Sequence, residues 1–268
     1  MGLIPDRLSL AGQVVFVTGP AKGMGRAITL ALAEAGADLI LAGRDTAAMA
    51  PVAEAVANTF GRATSIQACD ITNDDQVAAA VANGSVALGG RLDGLVAVAG
   101  TTGPSGKKIW EHTVSDYRDV FDVNVLGTVL PMRHVLPRLI GQGSGAIVII
   151  GGTFGFKGVR DGSLYGATKW ALRGITKSAA LEAGSAGVRV NMVSPGGVDG
   201  PRLTRQLGEA AAREGISPQQ AYDRFCQTTA LGRMSQDTDV AASVLFLMSE
   251  AARNITGQDL LVDGGTIV

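Results

Sequence analysis

The segment 13–43 constrains the fold more than any other part of this sequence. A short apolar run, QVVFVT (13–18), stops at Gly19, and GRAITLALAEAG (25–36) then repeats apolar residues at helical spacing. A second apolar run, DLILAG (38–43), follows at once. This order predicts a strand–helix–strand unit with parallel strands, and such crossovers are almost always right-handed.

The same alternation continues to the end of the 268-residue chain. Further strands are predicted at 63–70, 92–100, 145–152, 188–196 and 257–265, and further helices at 73–89, 117–141, 165–184 and 239–253. Nearly continuous apolar strands are typical of a parallel sheet that helices cover on both faces. We therefore predict a single-domain α/β fold over 1–268, a Rossmann-type doubly wound parallel sheet of about seven strands.

Two segments depart from this regular pattern. Pro131 and Pro137 lie inside the helix predicted at 117–141 and are expected to kink or interrupt it. Between the sixth strand and the last helix, residues 202–234 insert polar, helix-prone sequence. We expect residues 200–230 to form a lid over a substrate pocket, although a helical surface decoration would have the same composition.

Composition and charge exclude several classes of function. A net charge of −1 gives no electrostatic footprint for nucleic acid or an anionic membrane. Cys69 and Cys226 form no CxxC pair, which favours reduced thiols. His112 and His134 have no ligand spacing around them, so no metal site is expected. With neither a secretory start nor a membrane-length apolar run, the sequence predicts a cytoplasmic protein.

The loop TGPAKGMG (18–25) places glycines at 19, 23 and 25 between the first strand and the first helix. Glycine lets the backbone turn sharply and approach a pyrophosphate, while the helix N-terminus offers free N–H groups to it. This context predicts a dinucleotide site. Arg44 follows the second strand, and Lys22 adds charge inside the loop, which favours NADP(H); Asp45 is expected to cap the next helix.

Tyr165 and Lys169 are four residues apart in YGATK and are predicted to share one helix face. A free phenol, with a pKa of about 10, is a poor proton shuttle near neutrality, and a neighbouring ammonium favours its ionised form. Such a phenol can protonate a carbonyl oxygen as hydride arrives at carbon, or accept the proton in reverse.

Taken together and in order, several motifs identify a resemblance that covers almost the whole chain. They are TGPAKGMG, CDIT, FDVNVLG, YGATK, VNMVSPGG and ITGQDLLVDGG. The sequence resembles the short-chain dehydrogenase/reductase family, and in particular its 3-oxoacyl-carrier-protein reductase-like members. The resemblance implies hydride transfer between NAD(P)(H) and a small-molecule alcohol or carbonyl, and a homo-oligomer, either tetramer or dimer.

The resemblance also assigns roles to single residues. It implies that Tyr165 is the acid/base, that Lys169 binds the nicotinamide ribose, and that Asn124 holds a water relaying protons to Lys169. Asp70 and Ile71 would contact the adenine, and Pro195, Gly196 and Val198 would line the nicotinamide. The full set of expected cofactor contacts is Gly19, Lys22, Gly23, Met24, Gly25, Arg44, Asp70, Ile71, Ala99, Gly100, Tyr165, Lys169, Pro195, Gly196 and Val198.

The chain departs from the family pattern at the position of a catalytic serine. Counting back thirteen residues from Tyr165 leads to Gly152, with Thr153 next to it. A bulge at Gly151 and Gly152 could bring the Thr153 hydroxyl into the site, and Thr153 is therefore a fourth candidate catalytic residue. AVAG (97–100) also replaces a motif with two asparagines, and Gly200 replaces a threonine.

These departures leave three functions open. The first is an NADP(H)-preferring oxidoreductase, with NAD(H) also possible, that interconverts a secondary alcohol and a ketone. The second is a dinucleotide-binding protein with weak or no turnover, acting as a sensor or partner. The third is a non-redox enzyme on the same fold, of the epimerase or lyase type. In each case residues 101–116 and 200–230 are expected to shape the substrate pocket.

Overall fold

A computed structural model describes residues 7–104 and 106–268, with the backbone alone for Arg202. Seven parallel strands form one sheet in the order β3-β2-β1-β4-β5-β6-β7. They are β1 (Val14–Thr18), β2 (Asp38–Gly43), β3 (Thr64–Ala68), β4 (Gly94–Ala97), β5 (Gly145–Ile150), β6 (Val188–Pro195) and β7 (Asp259–Val262). The predicted α/β class, strand number and parallel topology are confirmed.

Helices cover both faces of this sheet. They are α1 (Gly23–Glu34), α2 (Thr46–Phe60), α3 (Asp74–Ala87), α4 (Val114–Phe121), α5 (Gly127–Gln142), α6 (Ser163–Ala183), α7 (Pro201–Glu214), α8 (Pro218–Gln227) and α9 (Asp237–Met248). Two cores result from the alternation of side chains along each strand. Phe16 of β1 packs into the core under α3, α5 and α6, whereas Val15 and Val17 pack into the core under α1, α2 and α9.

The strand order reverses between β1 and β4. From β1 the chain adds β2 and β3 on one side, then crosses back to place β4 on the other side of β1. The loops that leave β1 and β4 therefore diverge at the carboxyl edge of the sheet. A crevice at this switch point is where open α/β sheets bind their ligands.

The predicted interruption at Pro131 and Pro137 is wrong. Both prolines lie inside α5, which runs unbroken from Gly127 to Gln142. The irregularity lies earlier, where residues 122–126 form a π-helical turn between α4 and α5. Each proline removes one backbone donor, but the apolar face of α5 is buried on the sheet, and this packing outweighs two missing hydrogen bonds.

The predicted helix starts agree closely with the structure. The Asp45 carboxylate accepts a hydrogen bond from Ala48 N at 3.0 Å and caps α2 as expected. Asn73, the first residue of the helix predicted at 73–89, accepts from Gln76 N at 3.0 Å and caps α3. Strand β2 has its predicted bounds, 38–43, and each of the other strands is one to five residues shorter than predicted, because residues at the ends of the runs belong to the loops.

The insertion at 202–234 consists largely of helices α7 and α8. Helix α8 lies over the end of β6. The contact is close, since a Cβ on Gly197 would collide with the Phe225 ring. Helix α7 reaches the loop after β4, where a Cβ on Gly106 would come 3.4 Å from Arg213 Nη1. Among the described helices, none is long and apolar enough to cross a membrane.

Candidate functional site

The three glycines of the loop after β1 serve different geometric needs. Gly19 and Gly23 have φ angles of +66° and +53°, a region that favours glycine. Gly25 has no such angle, but a Cβ there would collide with the Gly19 carbonyl oxygen. Gly19 itself packs against Ala99, with 3.0 Å between a built Cβ and Ala99 Cα. The loop is therefore folded tightly against the strand end that borders the crevice.

The N-terminus of α1 fits an anionic group. Lys22 occupies the capping position with an exposed side chain that accepts no hydrogen bond from the helix, and no acidic residue lies in the first turn. The first N–H groups of α1 thus receive no acceptor from the capping side chain, and they carry the positive end of the helix dipole. Met24 is half-buried and packs against the core below, which anchors the loop.

Charge at the end of β2 suits a phosphate rather than a ribose hydroxyl. Arg44 directly follows β2 and is exposed, whereas the next carboxylate, Asp45, is turned away to cap α2. Asp70 lies near enough to Arg44 for the guanidinium to help lower its pKa, although hydrogen bonds from Thr72 lower that pKa more.

Asp70 and Ile71 follow β3, where the adenine was expected. Asp70 Oδ1 accepts from Thr72 N at 2.9 Å and from Thr72 Oγ1 at 2.8 Å, so this oxygen stabilises the turn. Ile71 is buried, and its side chain packs on the helix start at Gly127, where a Cβ would lie 2.6 Å from Ile71 Cδ1. These contacts fix the end of β3 beside the crevice.

The loop after β4 is held by groups that the sequence analysis did not identify. Thr18 Oγ1, at the end of β1, accepts from Val98 N at 3.1 Å and from Ala99 N at 3.2 Å. Thr18 thereby satisfies backbone groups next to the positions where the family pattern has asparagines. Gly100 lies over Asn124, with 3.1 Å between a built Cβ and Asn124 Oδ1. A polar residue at the end of an otherwise apolar strand was the available signal for Thr18.

The end of β6 forms the opposite wall. Pro195 is buried, and Gly196 donates its N–H to Val262 O at 3.0 Å while packing closely on Asp263. Val198 pairs with Ser235 in an isolated parallel bridge beyond the strand. The three residues expected to line the nicotinamide therefore follow one another along the rim of the crevice.

Tyr165 and Lys169 lie on the same side of α6, as their spacing predicts. The Lys169 Nζ lies 5.3 Å from the centroid of the Tyr165 ring. Lys169 is only 6% exposed, and its ammonium donates to Ile150 O at 3.1 Å. Phe154 packs edge-on against the Tyr165 ring, with 5.5 Å between ring centroids. A buried cation and a half-buried phenol thus face the carboxyl end of β5.

Asn124 lies in the π-helical turn and is buried. Its Oδ1 accepts from Thr101 N at 2.7 Å, and its Nδ2 donates to Thr101 O at 2.8 Å. The same amide donates to Thr168 Oγ1 at 3.1 Å, and that hydroxyl donates to Tyr165 O at 2.7 Å. Asn124 therefore ties the loop after β4 to the first turn of α6.

Gly152 occupies the position where the family pattern has a serine. Its φ of 161° and ψ of 156° are extended, a conformation that any residue adopts. A Cβ built on it would lie 3.8 Å from Pro195 O and 3.9 Å from Lys169 Cε, which is ordinary contact distance. The position points between Lys169 and the β6 wall, so glycine is not required there by sterics.

Thr153 does not lie in a bulge of β5. The strand ends at Ile150, two residues earlier than predicted, and Thr153 begins a single 3-10 turn, Thr153–Gly155. The Thr153 side chain is buried. Gly151 is needed for packing, because a Cβ there would collide with the Met192 side chain.

Other expectations concern metals and thiols. Within 7–104 and 106–268, no group of three or more His, Cys, Asp or Glu residues could hold a metal ion. Cys69 and Cys226 are buried and free, as expected for reduced thiols. Burial raises the pKa of Cys69 to about 11, and the neighbouring Asp70 carboxylate adds to this rise.

Comparison with known proteins yields one consistent picture. The family model described as enoyl-(acyl carrier protein) reductase matches residues 19–266. The chain is 34% identical to cis-4-hydroxycyclohexanecarboxylate dehydrogenase from Sinomonas cyclohexanicum, over 96% of this chain and 97% of that protein. Among solved structures it is similar to NAD+-bound xylitol dehydrogenase, with a TM-score of 0.89 and 26% identity over 95% of this chain and 99% of that chain. It is also similar to L-sorbose reductase from Gluconobacter frateurii complexed with NADPH and L-sorbose, with a TM-score of 0.90 and 26% identity over 97% and 98% of the two chains.

Proposed function

The chain belongs to the short-chain dehydrogenase/reductase family, and on that premise we propose that it is an NADP(H)-preferring oxidoreductase that interconverts a secondary alcohol and a ketone. The observation that carries the proposal is the approach of the Lys169 ammonium to within 5.3 Å of the Tyr165 ring centroid at the crevice. A bound nicotinamide dinucleotide would supply or accept the hydride there.

The residues of the crevice have distinct roles in this proposal. The N–H groups at the start of α1 bind the pyrophosphate, and Arg44 binds the 2′-phosphate, which disfavours NAD(H) without excluding it. Asp70 and Ile71 border the adenine site, Ala99 and Gly100 the floor, and Pro195, Gly196 and Val198 the nicotinamide site. The contacts of Ala99 with Gly19 and with Thr18 Oγ1 support this division, since they join the loops after β1 and β4 at the carboxyl edge of the sheet.

Proton transfer is assigned to Tyr165. Its hydroxyl protonates the substrate oxygen in the reductive direction and accepts the proton in the oxidative one. The Lys169 ammonium stabilises the negative charge that develops on the phenol oxygen. Asn124 fixes the loop after β4 against α6, and in this proposal it holds the water that returns protons to Lys169. Thr153, one residue from Gly152, is the nearest hydroxyl along the chain to the missing serine.

The substrate enters over the carboxyl edge of β4–β6. Loop 101–116 and residues 200–230 cover this edge, and the approach of Gly106 to Arg213 supports their joint role as a lid.

We also propose a homo-oligomer, dimer or tetramer. Five apolar side chains on α5 and α6, or just before α5, are more than a third exposed: Leu126, Val129, Ile140, Trp170 and Leu181. Light scattering on the native protein and on Leu181→Glu tests this surface.

Gly152 favours a second candidate function, a dinucleotide-binding protein with little turnover. Removing one donor to a developing oxyanion can lower turnover by about 100- to 1,000-fold. With glycine at position 152, our proposal leaves the Tyr165 hydroxyl as the single side-chain donor to the substrate oxygen, and this favours slow turnover.

A panel assay distinguishes the two candidates. The purified protein is mixed with NADPH or NADH and with cyclic ketones, ketoses and 3-oxoacyl thioesters, and loss of reduced nicotinamide is followed by absorbance. Oxidation of NADPH with at least one ketone, about tenfold faster than that of NADH at equal concentration, is expected. Binding of NADPH without oxidation across the panel favours the second candidate, and absence of any binding contradicts both.

A further inference from the structure

A chain of polar contacts runs behind the segment that lacks the catalytic serine. At one end, Gly152 donates its N–H to the buried Ser194 Oγ at 3.2 Å. Ser194 lies next to the Asp259 carboxylate, whose pKa is raised by burial, and the Ser194 hydroxyl opposes this rise. Arg173 Nε lies 3.0 Å from Asp259 Oδ2, and Arg173 Nη1 donates to Gly155 O at 2.8 Å. The contacts thus begin and end on the same four-residue segment, Gly152–Gly155.

The ion pair in this chain is largely removed from water. The Asp259 side chain is 6% exposed and that of Arg173 is 23% exposed. Neither Asp259 oxygen has a well-aligned hydrogen bond in the part of the chain that the structure describes. Burial raises the pKa of Asp259, while Ser194, Arg173 and Lys177 oppose the rise. A buried carboxylate of this kind is costly to keep, and a second role accounts for its presence better than stability does.

The Arg173 guanidinium is held on more than one side. Its Cζ lies 3.9 Å from the centroid of the Phe156 ring and 5.2 Å from that of Trp170. A Cβ on Gly155 would lie 3.2 Å from Arg173 Cδ, so the turn packs directly on the side chain. A planar guanidinium that donates, stacks and pairs at once is not replaced by lysine.

The segment that these contacts hold has little rigidity of its own. Residues 151–155 read GGTFG, and glycine has the largest conformational freedom to lose on folding. Yet the segment contacts the reaction centre twice. Gly152 faces Lys169, and Phe154 packs edge-on against the Tyr165 ring. Any displacement of the turn therefore moves both the ring of Tyr165 and the space beside Lys169.

We propose that Arg173 and Asp259 are positioning residues for the proposed reaction, which act together with Ser194 to fix the Gly152–Gly155 turn against Tyr165. The inference rests on the proposed function for its kinetic consequence alone. The mechanical part, that the ion pair holds the turn, is measurable without any substrate.

Hydrogen exchange of the NADPH-bound protein tests the mechanical part. Gly155 N donates to Gly152 O at 2.9 Å and Phe156 N donates to Thr153 O at 3.1 Å, so both amides report on the turn. Arg173→Met and Asp259→Asn should each raise their exchange about tenfold or more, with amides of β1 and β4 unchanged. Arg138→Met, on the exposed side of α5, is the matched control, since it removes a guanidinium that takes no part in these contacts.

Kinetics test the functional part. Arg173→Met should lower kcat about tenfold while the NADPH dissociation constant stays within about threefold, and Arg138→Met should change neither. In the double variant Arg173→Met/Asp259→Asn, kcat should fall no further than in Arg173→Met. Both substitutions remove the same ion pair, so their effects on kcat should not add. If one of these variants does not fold, Ser194→Ala and Arg173→Lys replace it, because both substitutions change side-chain volume little. The same exchange and kcat measurements are then made on them.

The results separate the two claims. The inference is overturned if the amides of Gly155 and Phe156 exchange at the wild-type rate in Arg173→Met, or if amides of β1 and β4 exchange faster to the same extent. It is also overturned if the turn amides exchange faster and kcat is unchanged. If the wild-type protein reduces no ketone, the proposed function fails. In that case exchange at Gly155 and Phe156 alone decides whether the ion pair holds the turn.

Discussion

Gly152 and Lys169 face each other closely enough that a single added side chain would connect them. A Cβ on Gly152 would lie 3.9 Å from Lys169 Cε and 3.8 Å from Pro195 O, with no clash. The backbone there is extended, so no conformational demand requires glycine. The chain has thus retained the geometry of a hydroxyl-bearing position without its hydroxyl, and turnover is expected to depend on what fills that space.

Gly152→Ser should raise turnover. The added hydroxyl would lie beside Lys169 and Pro195 and could donate to the substrate oxygen, and one such donor contributes about 100- to 1,000-fold where it acts. We expect kcat to rise at least about tenfold, with little change in NADPH affinity, in steady-state assays and fluorescence titrations. Gly151→Ser is the control, since its side chain would collide with Met192 and should lower stability without raising kcat. An unchanged or lower kcat in folded Gly152→Ser would contradict this role for the space.

Arg44→Ala should weaken NADPH binding selectively. Arg44 is exposed at the end of β2, and loss of a charge-assisted contact to a phosphate should raise the NADPH dissociation constant about 10- to 100-fold, each tenfold being about 1.4 kcal/mol. Binding of NADH, which lacks that phosphate, should be nearly unchanged. Fluorescence titration measures both, with Arg138→Ala on the exposed side of α5 as the control. Equal losses for the two dinucleotides would show that Arg44 does not read the 2′-phosphate.

Asp116 should make stability depend on acid pH. Hydrogen bonds from Lys107 and from the Thr113 backbone lower its pKa to about 2, and Lys107 Nζ lies 2.7 Å from Asp116 Oδ2. Because the folded pKa lies below the unfolded value of about 3.9, the stabilisation is full above the unfolded value and is lost as pH falls towards 2. Urea unfolding of wild type and Asp116→Asn should differ at pH 6, and the difference should shrink between about pH 4 and pH 2.

Lys107→Met is the complementary variant for this carboxylate. Removing the ammonium should return the pKa of Asp116 towards its usual range, which an NMR titration of the carboxyl carbon measures directly. A pKa near 2 in Lys107→Met would assign the effect to Thr113 instead.

Cys69 should resist thiol reagents in the folded protein. Its pKa is raised to about 11, so almost none of the thiol is ionised at pH 8, and its side chain is buried away from the reagent. Iodoacetamide followed by peptide mass spectrometry should leave Cys69 unmodified in buffer and modify it fully in urea. Rapid labelling without denaturant would mean that the end of β3 opens readily.

Local sequence patterns were sufficient for the fold because its constraints are local. Apolar runs marked most of the strands, β3 with its sequence TSIQA being the weakest case, and Asp45 and Asn73 marked helix starts that the structure confirms. The prolines of α5 were misjudged because a missing N–H is a local signal, whereas the packing that retains the helix comes from the sheet. The π-helical turn at Asn124 had no signal in the sequence pattern.

The candidate site likewise has one part that the sequence predicts and one part that only the structure reveals. The proximity of Tyr165 and Lys169 follows from helix geometry, and the structure brings them together. The pairing of Arg173 with Asp259 joins α6 to β7 and was not predictable, since Arg173 belongs to no motif and the motif ITGQDLLVDGG assigns no role to Asp259. Two signals existed: Arg173 lies one turn beyond Lys169 on α6, and Asp259 is a charge at the start of an apolar strand.

The kinetic effect of Tyr165→Phe tests the central claim most directly. With NADPH and the best ketone from the panel, kcat should fall at least about 100-fold while the NADPH dissociation constant stays within about threefold. Tyr117→Phe, on α4, should leave kcat unchanged. A Tyr165→Phe variant that keeps wild-type turnover would contradict the assignment of proton transfer to this residue.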